Sequence, residues 1–282
     1  MKVRYPSQAG AFYAGSASSL RSEVEDCFKH KYGPGKIPQV RSGRPQRIIG
    51  IIVPHAGYMY SGHVAAHSYL ELGTDGTPET VIILGPNHTG LGSGVSIMTE
   101  GIWRTPLGDT AIDHELANQI SRASGIIDVD ESAHLHEHSI EVQLPFLQYM
   151  YGGSFKFVPI CFMMQDLETC SEIGSTIASL GRDRGVVIVA STDLTHYESQ
   201  QEVERKDSMV IEAIQELDES RLNEVILSHH ISMCGYGPVM TTIVAVKGLG
   251  CRTGRLLSHR TSGDITGDMD AVVGYASMSL EA

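Results

Sequence analysis

Cysteine is sparse in this chain: Cys27, Cys161, Cys170, Cys234 and Cys251 make an odd number, with no CxxC pair among them. That excludes a disulfide framework and a closed four-cysteine zinc site, and leaves most of the thiols as small core residues. Basic residues are also short, 21 Lys and Arg against 33 Asp and Glu, for a formal net charge of −12. A broad nucleic-acid surface needs clustered cations, so nucleic acid is not an expected partner, although a local basic pocket fits the balance. No apolar run reaches the roughly 18 residues of a membrane span, and MKVRYPSQAG has no signal-like apolar stretch. The expectation is a cytoplasmic protein without a membrane partner. Walker A, GxGxxG and GxSxG motifs are missing too, the glycines of GLGSGVS falling at other spacings. The single tryptophan, Trp103 in GIWRTPLGD, is read as a lid or rim residue.

The chain has ample material for a core: 41% of its 282 residues are hydrophobic and 19% charged. Four short runs, RIIGIIVP, ETVIILGP, FKFVPICFM and GVVIVAST, are nearly continuous in Ile and Val. Strands buried on both faces look like this. Helical spacing appears over 16–31 (Leu20, Val24, Cys27, Phe28), 138–150 (Ile140, Leu144, Leu147) and 200–217 (Val203, Val210, Ile214, Leu217). Residues 238–249 add a further helix, with Pro238 in its first turn. The Gly- and Pro-rich stretch YGPGKIPQVRSGRPQ joins an N-terminal element to the main sheet. The prediction is one α/β domain over 1–282, a central mixed, largely parallel sheet covered by helices, with 1–45 packed on it.

Open α/β sheets bind ligands beyond the carboxyl ends of their strands. His55 follows IIVP, His88 follows IILGPN, and Asp193 and His196 follow VVIVAST. A lone histidine after a strand is usually a hydrogen-bonded structural residue. Three strand ends repeating the pattern favour a metal or acid–base site. Gly57 is read as the residue that lets the chain turn beside His55. Cys234 sits in a glycine turn before the Pro238 helix, where the helix dipole would lower its pKa and suit a metal-binding thiolate; a small buried thiol at a tight turn fits equally. HLHEH, residues 134–138, matches the H-x-x-E-H pattern of inverted zinc peptidases, but the helical stripe begins only at Ile140. His138, nearest the helix start, is the one of these expected to face a pocket.

VRYPSQAGAFY, PHAGYMYSG, ILGPNHTG, TPLGD, EHSIEVQLPFL, STDLTHY, the Cys-Gly turn and TSGDITGDMDAVVGYAS occur in that order from about residue 3 to 278. As an ordered set they resemble the Memo family, which is similar in fold to the class III extradiol dioxygenases. The resemblance implies that His55, His88 and Cys234 surround a metal, with Asp193 and His196 beside it and His196 in the place of a catalytic base. Phe12, Tyr13 and His138 would line the same cleft. Ring-cleaving dioxygenases hold Fe(II) with two His and one carboxylate; here the third position is Cys234, a softer donor. The implied cofactor is one metal ion, iron or copper with zinc as a further candidate. The implied function is redox or oxygenase-like chemistry on a small molecule or peptide. The competing expectations are a non-catalytic module that binds an anionic peptide or small molecule in the same cleft, and a zinc hydrolase centred on HLHEH.

Overall fold

All four Ile/Val-rich runs form strands, and they lie side by side. The computed structural model describes residues 2–182 and 184–282. In chain order its elements are β1 (Val3–Arg4), α1 (Ala17–Lys29), β2 (Ile48–Val53), α2 (Tyr58–Asp75), β3 (Thr80–Pro86), β4 (Val95–Ile97), β5 (Ile102–Thr105), β6 (Gly108–Ala111), α3 (His114–Ala123) and β7 (Asp128–Val129). Then follow α4 (Leu144–Tyr151), β8 (Lys156–Phe162), α5 (Leu167–Gly181), β9 (Val186–Ser191), β10 (His196–Glu198), α6 (Gln200–Gln215), α7 (Glu219–Ser228), α8 (Tyr236–Gly248), β11 (Thr253–Thr261), α9 (Gly263–Thr266) and β12 (Val272–Glu281).

The main sheet runs β10-β12-β2-β9-β3-β8-β4-β7, with β11 also paired to β12; β1, β5 and β6 form a small second sheet. The segment β2-β9-β3-β8 is parallel throughout. Every residue of β3 and β9 is buried, as continuous apolar strands require. The register aligns their carboxyl ends: Val53 lies opposite Ser191, Leu84 opposite Ala190 and Pro86 opposite Phe162. Antiparallel strands extend both sides of this centre, β12 beside β2 and β4 beside β8. This is the single α/β domain with a mixed, largely parallel sheet that the patterning predicts. Among the described residues no helix is long and apolar enough to cross a membrane.

The predicted faces are the buried ones. Leu20, Val24, Cys27 and Phe28 are the buried residues of α1, whose first turn is capped by Ser16 accepting from the Ser19 amide. Two expectations need correction. Trp103 is not a rim residue: it is fully buried in β5, its indole N–H aimed at Met98 Sδ and the Arg4 guanidinium 4.3 Å above its ring. Gly57 is not sterically required either. Its φ of −53° suits any residue, and an added Cβ would meet the Phe12 carbonyl oxygen at an ordinary 3.6 Å. It is the N-cap residue just before α2, and the chain turns there because the helix begins.

Candidate metal centre

Because the strand ends are in register, side chains a few residues beyond them meet. His55 and His88 each lie two residues past the ends of β2 and β3, and Asp193 two past β9. Cys234 arrives from the turn preceding α8. The ligating atoms of His55, His88 and Cys234 all lie within 4.8 Å of one another, with Cys234 Sγ 3.2 Å from His55 Nε2. All five cysteines are free; Cys234 alone is not fully buried.

Hydrogen bonds fix which imidazole nitrogens face this point. His55 Nδ1 is 2.9 Å from Ser191 Oγ, and Ser191 gives its one proton to the Ser139 carbonyl at 2.6 Å while accepting from Gln143 Nε2 at 2.8 Å. Ser191 has no proton left to donate, so His55 Nδ1 carries the hydrogen and Nε2 keeps its lone pair. His88 Nδ1 donates to Glu137 Oε1 at 2.9 Å, an acceptor-only group, which leaves Nε2 as the His88 nitrogen free to ligate. Second partners of this kind orient metal-binding histidines. Burial holds His55 well below the ordinary imidazole pKa, helped by the neighbouring His138, His88 and His196, so the ring is neutral.

Glu137 is 1% exposed and also accepts the backbone N–H groups of His88 (2.5 Å), His138 (2.9 Å) and Ser139 (2.8 Å). Burial raises its pKa, but the His88 hydrogen bond and the charges of His88 and His138 outweigh that, leaving it at about 2. It therefore stays ionised. His88, Glu137 and His138 form a second group of converging donors, but the oxygens of Glu137 are already committed to backbone and to His88, which makes it a support for the first group.

Asp193 accepts the His55 amide through Oδ1 at 2.8 Å, and its Oδ2 lies 4.0 Å from His55 Nε2. Burial pushes its pKa up to about 6 against the hydrogen bond from His55. Burial also pushes the Cys234 thiol up, the reverse of the lowering expected from the nearby helix start. Desolvation of a nearly enclosed sulfur exceeds the dipole's effect. The thiol has a matched setting nonetheless: the Asp193 amide points at Sγ from 3.3 Å, and a bound cation would deprotonate it.

A cleft of about 680 Å³ opens onto His55, His88, Asp193 and His196, with Phe12 and His138 in its wall. His138 stacks on His88 at 4.4 Å between ring centroids and meets Phe12 at 4.6 Å. Burial lowers the His138 pKa to about 4. His196 Nδ1 is buried without a hydrogen-bond partner, while the His196 amide donates to Ser232 Oγ at 2.8 Å. Tyr13 is not part of the cleft wall. It is 2% exposed and gives its hydroxyl to Glu141 at 2.6 Å, within a buried network with Arg4. The HLHEH segment is not an α-helix: His134 ends a single 3-10 turn over Ser132–His134, is fully buried against Trp103, and belongs to no converging donor group among the described residues. Glu137, Ser191 and Gln143 are the residues that sequence reasoning missed. The HLHEH match pointed at Glu137, but for a hydrolytic role.

A family model described as Memo-like protein matches residues 4–279 of the chain. The MEMO1 family protein of Methanopyrus kandleri is 52% identical over 277 residues, 98% of this chain and 98% of that protein. The chain belongs to the Memo family. This Memo protein is also 51% identical over 288 residues to the MEMO1 family protein of Methanocaldococcus jannaschii, covering 99% of each. It is 48% identical over 280 residues to the one of Sulfurisphaera tokodaii, covering 98% of each. Its fold is similar to the crystal structure of an uncharacterized protein of Escherichia coli K12, with a TM-score of 0.56 at 14% identity over 82% of this chain and 99% of the other.

Proposed function

We propose that this Memo protein holds one metal ion on His55, His88 and Cys234 and performs redox, oxygenase-like chemistry on a small molecule bound in the cleft. The observation that carries the proposal is the convergence of two imidazoles and one thiol within 4.8 Å, each imidazole held by a partner on its other nitrogen. This donor set suits iron or copper, and also zinc. An iron or copper ion there supplies electron transfer and Lewis acidity when bound.

The chain's own residues do the rest. Glu137 and Ser191 keep His55 and His88 in the ligating tautomer. Asp193 fixes the His55 backbone and, with its pKa near 6, takes or releases a proton around neutral pH. His196 lines the cleft with a free ring and moves the proton of a bound ligand. Phe12 and His138 give the cleft an aromatic wall against which a planar ligand can pack.

Capture of an anionic peptide or small molecule without a metal is the competing reading. Among the described residues the cleft wall contains no Lys or Arg, so imidazoles alone would meet the anion. Anaerobic titration of the metal-free protein with Fe(II) and Cu(I) separates the two. Saturation at one equivalent, followed by oxygen uptake with a phenolic substrate and loss of both in Cys234→Ser, supports the proposal. Ligand binding that ignores metal addition defeats it.

A further inference from the structure

We infer that Asp207 is a positioning residue for His196, acting through the backbone of Thr195; this rests on the reading of His196 as the proton-moving group. His55 and His88 are oriented by hydrogen bonds to their own rings, but His196 Nδ1 has no partner. Its place is therefore set by the main chain that carries it. That main chain is clamped from below. Asp207, on α6 and wholly buried, accepts the Thr195 amide through Oδ1 at 3.0 Å and the His259 Nε2–H through Oδ2 at 2.8 Å. On the same turn the Leu194 amide donates to the Gly274 carbonyl at 2.8 Å, and the Gly274 amide donates to the Thr195 carbonyl at 2.9 Å.

Gly274 shows how closely the carboxylate is seated. A Cβ built there would lie 1.8 Å from Asp207 Oδ2, so any side chain at 274 would displace the carboxylate that holds His259 through Oδ2 and Thr195 through Oδ1. Tyr197, the residue after His196, adopts a left-handed φ of 57° although it is not glycine. A backbone strain of this kind persists only where the surroundings over-determine it. The clamp on Leu194 and Thr195, together with the Ser232 hydroxyl on the His196 amide, supplies that determination. Asp207 thus reaches the cleft at one remove: α6 and β11 hold Asp207, Asp207 holds Thr195, and Thr195 places His196.

The test is long-range ¹H–¹⁵N NMR of the histidine rings in the full-length, metal-free protein, with the His196 signals assigned by their loss in His196→Asn. In Asp207→Ala the His196 signals shift or broaden while those of His55 and His88 keep their wild-type positions. Asp207→Asn still accepts from Thr195 and can donate to His259 in its other tautomer, so it restores the His196 signals. Unchanged His196 signals in a folded Asp207→Ala protein overturn the inference. Equal shifts at all three histidines overturn it too, because they mark a general packing defect. If Asp207→Ala does not fold, hydrogen exchange on the wild-type protein decides: the Thr195 amide exchanges with the slowest core amides, and exchange at the rate of an exposed loop refutes the clamp. Neither readout uses a metal, so failure of the metal proposal would show elsewhere.

Discussion

Replacing Glu137 by Gln tests whether an ionised carboxylate holds the centre together. The carboxylate accepts four hydrogen bonds: Oε1 takes His88 Nδ1–H and the amides of His138 and Ser139, and Oε2 takes the His88 amide. A glutamine has one acceptor oxygen. With that oxygen in the Oε1 position three bonds survive, but the new NH2 then faces the His88 amide, donor against donor. The opposite orientation sets NH2 against three donors. The charge is lost in either case, and hydrogen bonds to a charged group are worth about 1.5–3 kcal/mol each, roughly twice neutral ones. The expected stability loss is about 2–4 kcal/mol, one bond removed and the others weakened. With His88 less firmly oriented, metal affinity falls about 10–100-fold, or about 1.4–2.8 kcal/mol. Anaerobic metal titration and denaturant unfolding of the metal-free protein read the two effects separately. A folded Glu137→Gln protein that binds metal within twofold of wild type would refute the reasoning.

Ser191→Ala removes the acceptor for His55 Nδ1 and the donor to the Ser139 carbonyl, both in a fully buried site; metal affinity should fall about tenfold and stability by about 1–3 kcal/mol, and titration showing neither would count against the tautomer assignment. Arg4→Met strips the partner from Glu141, both side chains being almost wholly buried, so urea unfolding should show a loss of about 3–5 kcal/mol, and a loss under about 1 would mean the pair is dispensable. Burial holds the His134 pKa down at about 4, with the nearby Arg4 charge adding to the effect. A depressed folded-state pKa gives stability that is full above the unfolded value of about 6.5 and is lost as pH falls toward 4, about 3 kcal/mol in all. His134→Phe should flatten that part of the stability–pH curve, and a curve parallel to wild type would exclude His134 as its source.

The parallel centre of the fold was legible because strands buried on both faces need continuous Ile and Val, and each of the four runs has them. The edge elements were not. β12 is buried at every position but Val273 yet mixes Ser and Glu with apolar residues, while β11 is mostly partly exposed and shifts register against it between Leu256 and Ser258, so neither carries a clean period. α2 is buried on most of its surface, and a helix without a polar face has no amphipathic stripe to read. At the site, His55, His88 and Cys234 were visible because strand ends and glycine turns mark positions in the chain. The supports were not, because Glu137 and Ser191 act through bonds to residues 49 and 136 positions away. The thiol's pKa was misjudged for a related reason: a helix start is written in local sequence, but burial is a property of the whole fold. Tyr13 shows the same limit, since nothing near it in sequence announces Glu141 as its partner.

The proposed role of His55, His88 and Cys234 is to hold one metal ion jointly. Its most direct test is elemental analysis of protein purified without oxygen and without an affinity metal, beside Cys234→Ser and His55→Ala prepared in the same way. Close to one equivalent of iron or copper is expected in the wild-type protein, or one equivalent after anaerobic loading, with a large loss in both variants. Full metal occupancy in either variant, or none in the wild-type protein after loading, would contradict it.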